Sequence, residues 1–178
     1  MKRISFLMFI VLSIFLSDTV LSQNRIPVIP EVTKEDQICF AMYTVQNNIM
    51  RMSAQLYPLD DDDDRFVRLE INKEGTWIEI DRERINENSY NSVDDARAWN
   101  VLFRVESWNS KNDVDYRVAH GEKAFFYGKI RKDPIDKETI VVAAFTGNSN
   151  KDRTLRPDLI ANLKAQDPDL LFFSGDQS

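Results

Sequence analysis

Two short segments of this chain combine glycine with oxygen-donor side chains: Thr146-Gly147-Asn148-Ser149-Asn150 and Ser174-Gly175-Asp176-Gln177-Ser178. Glycine lets a backbone approach a ligand closely, and Asn148, Asn150 and Asp176 offer hard oxygen donors suited to Mg, Ca or Mn, or to part of a mixed metal site. Taken alone the signal is weak, because Gly-Asn and Gly-Asp are ordinary turn dipeptides, and on spacing the turn reading stands ahead.

The remaining reactive residue types are sparse. One cysteine, Cys39, and one histidine, His120, exclude an internal disulfide and the usual Cys/His zinc clusters. Cys39 has no cationic cluster beside it in sequence and reads as a buried small hydrophobe. The carboxylates of Asp60 to Asp64 lack the spacing and terminal glutamate of an EF-hand, so a solvated hairpin loop is expected there. His120 beside Gly121 reads as a turn residue. Trp77, Trp99 and Trp108 have faces that stack on sugars, yet tryptophan is routine in β cores, and packing is the favoured role.

The elements that must position these residues change character along the chain. Ile38 to Val45, Ile49 to Leu56, Phe66 to Ile71 and Thr76 to Ile80 are short runs rich in β-branched and aromatic residues, separated by turn signals. Val67, Leu69 and Ile71 alternate with Arg68 and Glu70, one face buried and one wet. The alternation resumes from Val101 to Trp108, with Val101, Phe103, Val105 and Ser107 on one face and Leu102, Arg104, Glu106 and Trp108 on the other. Asp115 to Ala119 and Ala124 to Ile130 follow. About seven such strands predict a mainly β fold, an immunoglobulin or fibronectin-like antiparallel β-sandwich over residues 38–132. With no Cys-Trp-Cys framework, it must stand on its hydrophobic core.

After Arg131-Lys132-Asp133-Pro134 the pattern changes. Thr139 to Phe145 and Asp169 to Ser174 are continuous apolar runs of the kind buried on both faces of a parallel sheet. Between them Arg156 to Gln166 reads as a helix, with Pro157 in its first turn and an apolar stripe of Leu159, Ile160 and Leu163. Residues 138–178 therefore predict an incomplete α/β unit, strand-helix-strand with a right-handed crossover. In open α/β sheets ligands bind beyond the carboxyl ends of the strands, where adjacent parallel strands bring their following loops within roughly 5 to 10 Å. Those loops are the two that carry Asn148, Asn150 and Asp176.

The amino end reads as a secretory signal over 1–22. Lys2 and Arg3 precede an apolar run from Ile4 to Leu16, shorter than the about 20 residues a bilayer needs, and Val20-Leu21-Ser22 supplies a cleavage site. No membrane span is expected after cleavage, and the destination is the periplasm or the exterior. Residues 23–37, with Pro27 and Pro30, read as an extended lead-in. The net charge of −6 makes nucleic acid a poor partner, since an acidic chain repels phosphate backbones.

The run IVVAAFTGNSN at Ile140 to Asn150 and the run DPDLLFFSGD at Asp167 to Asp176 resemble the opening of a calcineurin-like metallophosphoesterase domain, specifically that of PhoD-like metallophosphatases of secreted bacterial proteins. The strands before it, including AQLYPL at Ala54 to Leu59 and FRVESW at Phe103 to Trp108, resemble the β-sandwich that precedes this domain in such proteins. The resemblance implies hydrolysis of phosphate esters by two divalent metal ions that clamp the phosphoryl group and generate a hydroxide. It also implies that Asp176, in Gly175-Asp176, is the bridging aspartate. The first motif departs from the family pattern, with Asn148-Ser149-Asn150 where an Asp-x-His is the rule, and no downstream histidine motifs follow. The expectation is thus a truncated phosphatase fragment, exported and without activity as it stands. The rival from another class is an extracellular β-sandwich binding or adhesion module without catalysis.

Overall fold

The computed structural model describes residues 29–88, 97–146 and 156–174. The chain separates into two units, Met1–Glu31 and Val32–Ser178. The expected signal over 1–22 lies outside the described residues, as does the start of the lead-in. The rest of the lead-in includes a single 3-10 turn, Lys34–Asp36.

The second unit is mainly β, with antiparallel sheets. Its first seven strands are β1 (Ile38–Gln46), β2 (Ile49–Leu56), β3 (Phe66–Lys73), β4 (Thr76–Arg84), β5 (Asn100–Val105), β6 (Val114–His120) and β7 (Ala124–Ile130). They form a three-stranded sheet in the order β1-β2-β5 and a four-stranded sheet in the order β4-β3-β6-β7, antiparallel throughout. Two hairpins set the register. Asn47 and Asn48 join β1 to β2 at φ of 53° and 57°, and Glu74 and Gly75 join β3 to β4 at 54° and 88°. Two-residue loops with both φ positive match the right-handed strand twist, which is why asparagine and glycine occur there. Glu74 accepts the strained conformation in a turn where the Gly75 N–H donates to Asn72 Oδ1 at 2.8 Å.

Period-2 alternation builds the core. Val67, Leu69 and Ile71 turn inward from β3 while Arg68 and Glu70 turn outward. One apolar cluster joins Met50, Met52, Val101 and Phe103 of the three-stranded sheet to Val67, Leu69, Val118 and Ile130 of the four-stranded sheet. Tyr116 lies in the same cluster, edge-on to Tyr43 at 6.3 Å. Burial, with the negative charge an ionised Tyr43 would bring, pushes its hydroxyl pKa up to about 12.

Four expectations need correction. β5 ends at Val105 instead of running on to Trp108, and Ser107 at φ 55° reverses the chain, so Trp108 leaves the face of Leu102 and Arg104 and packs in the core, the role favoured for the tryptophans. Its backbone N–H donates to Asn48 O at 2.7 Å, which fixes that reversal. Cys39 is exposed: the register slips between Ile38, opposite Leu56, and Phe40, opposite Gln55, and the bulge leaves Cys39 unpaired on the outside. The segment holding Asp60 to Asp64 is not a hairpin loop, because β2 and β3 belong to different sheets and it crosses between them. His120 is the last residue of β6, buried, with Nε2 at 2.7 Å from Asp64 O, so it ties that crossing down.

Beyond Ile130 come β8 (Val142–Phe145), α1 (Pro157–Gln166) and β9 (Leu170–Phe173). β8 and β9 pair in parallel, Val142 opposite Leu170 through Phe145 opposite Phe173. The two runs are of a type buried in complete parallel sheets, but here Thr139 to Phe145 is largely exposed, Leu170 to Phe173 are all open to solvent, and α1 buries none of its residues. The physical reason is neighbour number, since a two-stranded sheet with one helix lacks the layers that cover a parallel sheet.

Gly128 reports on core packing. It stands opposite Tyr116, and a Cβ there would lie 2.5 Å from the tyrosine ring. Gly128→Ala should destabilise the fold by about 1–3 kcal/mol in urea denaturation, the range for overpacking. Tyr116→Val in the same chain should recover part of that loss; an unaltered midpoint for Gly128→Ala would refute the close approach.

Candidate functional site

The carboxyl ends of β8 and β9 are side by side. Phe145 and Phe173 stack with centroids 5.0 Å apart, and Ser174 N–H donates to Phe145 O at 3.0 Å. The β sequence dictates this arrangement, because parallel pairing in register aligns the two strands end to end. Thr146 and Ser174 are therefore neighbouring points of departure for the segments 147–150 and 175–178. Asn148, Asn150 and Asp176 themselves lie outside the described residues. As a donor set, one carboxylate and two amides suit a single hard divalent cation. They do not fill a two-metal centre, which needs more charge and more ligands than these three side chains bring.

The amino ends of the same strands are held by ion pairs that sequence reading missed. Arg131 follows β7, and its guanidinium donates to Asp167 at 2.5 and 3.2 Å and to Pro168 O at 3.3 Å. Its backbone N–H donates to the Tyr43 hydroxyl at 2.9 Å, so one residue touches β1 and the α1–β9 connection. Lys137 donates to Asp169 Oδ1 at 2.5 Å, and the other oxygen of Asp169 accepts from Val141 N–H at 3.0 Å. Hydrogen bonding from Arg131, then its charge, holds the Asp167 carboxyl below its ordinary range; Lys137 and the Val141 N–H do the same for Asp169. Beside this clamp runs a groove of about 1680 Å³ whose walls include Met42, Leu102, Ile135, Leu171 and Phe173. The only sequence signal for the clamp was the DPD run, which an ion-pair argument cannot use without knowing the fold.

The other candidates have structural partners. Asp60, Asp62 and Asp63 bring their carboxylates within 4.8 Å of one another. The Lys34 ammonium donates to Asp60 at 2.8 Å and to both oxygens of Asp63 at 2.7 Å, so a protein cation already occupies the position between two of the three carboxylates and offsets part of their charge. Burial works against ionisation of Asp63, but the Lys34 hydrogen bond, the Asp60 N–H and the nearby positive charge outweigh it and lower its pKa. Arg65 reinforces the crossing by donating to Asp60 O and Asp63 O at 2.9 and 2.7 Å. Of the tryptophans, Trp108 is core, and Trp99 lies under the guanidinium groups of Arg65 and Arg97 at 5.9 and 5.5 Å. Trp77 lies on the outward face of the four-stranded sheet with Arg117 4.7 Å from its ring centroid.

No family model, no curated protein and no solved structure matches this chain. Among the described residues, no helix is long and apolar enough to cross a membrane.

The clamp gives a pH signature. Because the native state depresses both carboxyl pKa values, the stability they contribute is complete above their unfolded value of about 3.9 and is lost as pH falls through the lower native values. Arg131, with its pKa raised, stays charged over this range. Amide exchange of Leu170 to Phe173, corrected for intrinsic rate, should therefore accelerate below about pH 4. Asp167→Asn should cause earlier proteolytic cleavage between residues 132 and 140 at neutral pH; equal cleavage in the parent chain would show that the ion pair does not hold the unit.

Proposed function

We propose that this chain is the amino-terminal part of an exported PhoD-like metallophosphatase, a fibronectin-like β-sandwich followed by the first strand-helix-strand unit of a phosphoesterase domain. The observation that carries the proposal is the parallel, in-register pairing of β8 with β9, which starts the 147–150 and 175–178 segments from adjacent residues. Ligand sites in open α/β sheets occur beyond such strand ends. The two sheet orders, β1-β2-β5 and β4-β3-β6-β7, support the sandwich reading, since they follow the two-sheet immunoglobulin arrangement except that β4 joins the second sheet.

In this reading Asp176 contributes the one formal charge and Asn148 and Asn150 contribute amide oxygens to a divalent cation. A divalent metal polarises phosphoryl oxygens when the ligand set around it is complete. The protein's part at this site is to hold the two segments together through the β8–β9 ladder and to keep its only histidine elsewhere, at the end of β6. A phosphate ester is the substrate class of the family, and these three side chains alone do not support turnover.

Calorimetric titration of the purified chain with Mn²⁺ and Ca²⁺ tests the site. A weak site with Kd on the order of 10⁻⁴ to 10⁻³ M is expected, lost in Asp176→Ala and tightened in Asn148→Asp, which restores a carboxylate of the family pattern. Hydrolysis of bis(p-nitrophenyl) phosphate by the unaltered chain should stay at background. Cation binding indifferent to Asp176→Ala, or robust turnover that Asp176→Ala abolishes, would overturn this account.

A further inference from the structure

The outward face of the four-stranded sheet carries a cluster of aromatic and charged side chains that plays no part in the phosphatase reading. Trp77 stands opposite Asn72 on neighbouring strands, and Tyr127 stands opposite Arg117. The Trp77 and Tyr127 rings meet at 5.7 Å and 61°. Arg117 lies 4.7 Å from the Trp77 centroid and 4.5 Å from that of Phe125. Its Nε donates to Glu70 Oε2 at 2.6 Å, and Arg68 Nε donates to the other Glu70 oxygen at 3.0 Å. Glu70 is only 6% exposed. A buried carboxylate gripped by two guanidinium groups is costly to desolvate, and its effect here is to fix Arg117, and through it the Trp77 ring, in one orientation.

The upper surface of that assembly is open. Tyr127 is 58% exposed, far more than a ring recruited for packing. Beside it is a concavity of about 420 Å³ lined by Asn72, Trp77, Asp115, Tyr116, Tyr127 and Lys129 among others, within the size range of small-ligand sites. Asp115 and Lys129 face one another at 3.2 Å and both remain half exposed, so each keeps hydrogen-bonding capacity. The Asn72 carbonyl oxygen is used by Gly75 N–H, while its amide nitrogen has no partner among the described residues. Rigid aromatic surface next to a carboxylate, an ammonium and a free amide donor matches a ligand with an apolar C–H face and several hydroxyls. A phosphorylated or carboxylated ligand is disfavoured by Asp115 at the rim.

We infer that this concavity binds a neutral hexopyranose unit of an oligosaccharide, its C–H face on Tyr127 and Trp77 and its hydroxyls shared among Asn72, Asp115 and Lys129. Aromatic surface of this kind combines large contact area with little entropy loss, and the Glu70-Arg117 support preorganises it.

The purified chain is titrated with cellopentaose, laminaripentaose and maltopentaose, following tryptophan fluorescence and heat. At least one should saturate the protein, and Tyr127→Ala should weaken it roughly tenfold or more. Tyr127 is largely exposed, so that variant is expected to keep its urea midpoint; Trp77→Phe, which retains an aromatic partner for Arg117, is the second probe and should also weaken binding. Trp99→Phe, remote from the concavity, should leave binding unchanged. Absence of saturation by all three saccharides up to about 10 mM, or binding that survives both Tyr127→Ala and Trp77→Phe, overturns the inference. These outcomes are independent of cation binding at Asp176, so either reading can fail without the other.

Discussion

With a single cysteine in the chain, the two antiparallel sheets are held together by buried apolar side chains and nothing covalent. Met50, Met52 and Phe103 from one sheet and Val67, Leu69, Val118 and Ile130 from the other are almost completely removed from water. At about 25 cal/mol per Å² of apolar surface, each such side chain contributes on the order of 1.5–3 kcal/mol, comparable with the backbone entropy lost on ordering one or two residues. The alternation of β3 and β6 is what makes this possible. The inward residues there are apolar except His120 at the end of β6, whose ring is satisfied by Asp64 O, so outward positions are free to be Arg68, Glu70, Asp115 or Arg117, and the outer face acquires a chemistry of its own.

The strand-helix-strand unit lives under a different constraint. It buries no residue of α1, and β9 is open on both faces, so the attachment to the rest of the molecule relies heavily on Arg131-Asp167 and Lys137-Asp169. Arg131-Asp167 is a surface ion pair, worth about 0–1 kcal/mol because solvent and salt screen it and long side chains lose entropy in forming it, whereas the Asp169 side chain is only 4% exposed and is less screened. A unit held that weakly should open well before the core melts. The exposed Leu170 to Phe173 run, flanked by an unpaired strand edge, makes such opening a route to aggregation.

Much of the architecture was legible in the sequence because period-2 patterns and turn chemistry act locally. The strand positions, the Asn47-Asn48 and Glu74-Gly75 turns, and the helix beginning at Pro157 all follow from residues within a few positions of one another. What was not legible depended on distant partners. Trp108 was read as sharing the face of Leu102 and Arg104 because its strand was taken to continue, and a single left-handed residue, Ser107, moved it to the core side. Cys39 looked buried by residue type, and a one-residue bulge exposed it. The ligand triad Asn148, Asn150 and Asp176 was proposed from glycine spacing and resemblance; the fold contributes the adjacency of Thr146 and Ser174, while the three residues lie outside what is described. Of the Trp77-Tyr127 concavity only Trp77 carried a linear signal, as an aromatic face able to stack on sugars, and packing was the favoured role for it; its partners come from other strands and were not legible.

Charge usage separates structural from chemical roles. A carboxylate whose partner is a protein cation has its electrostatic need met, and each contact it makes lowers what a metal or ligand would gain by replacing it. Asp60 and Asp63 are met by Lys34, Glu70 by Arg68 and Arg117, Asp167 by Arg131, and Asp169 by Lys137. His120 is committed to Asp64 O. Asp115 differs in degree: its one partner, Lys129, is itself half exposed and flexible, so a hydroxyl can insert beside the pair without leaving a buried charge unpaired. Of these pairs, Asp115-Lys129 is the longest, at 3.2 Å, and has the most exposed cation, so it is the one among them best able to exchange partners, and it lies on the outward face beside Tyr127.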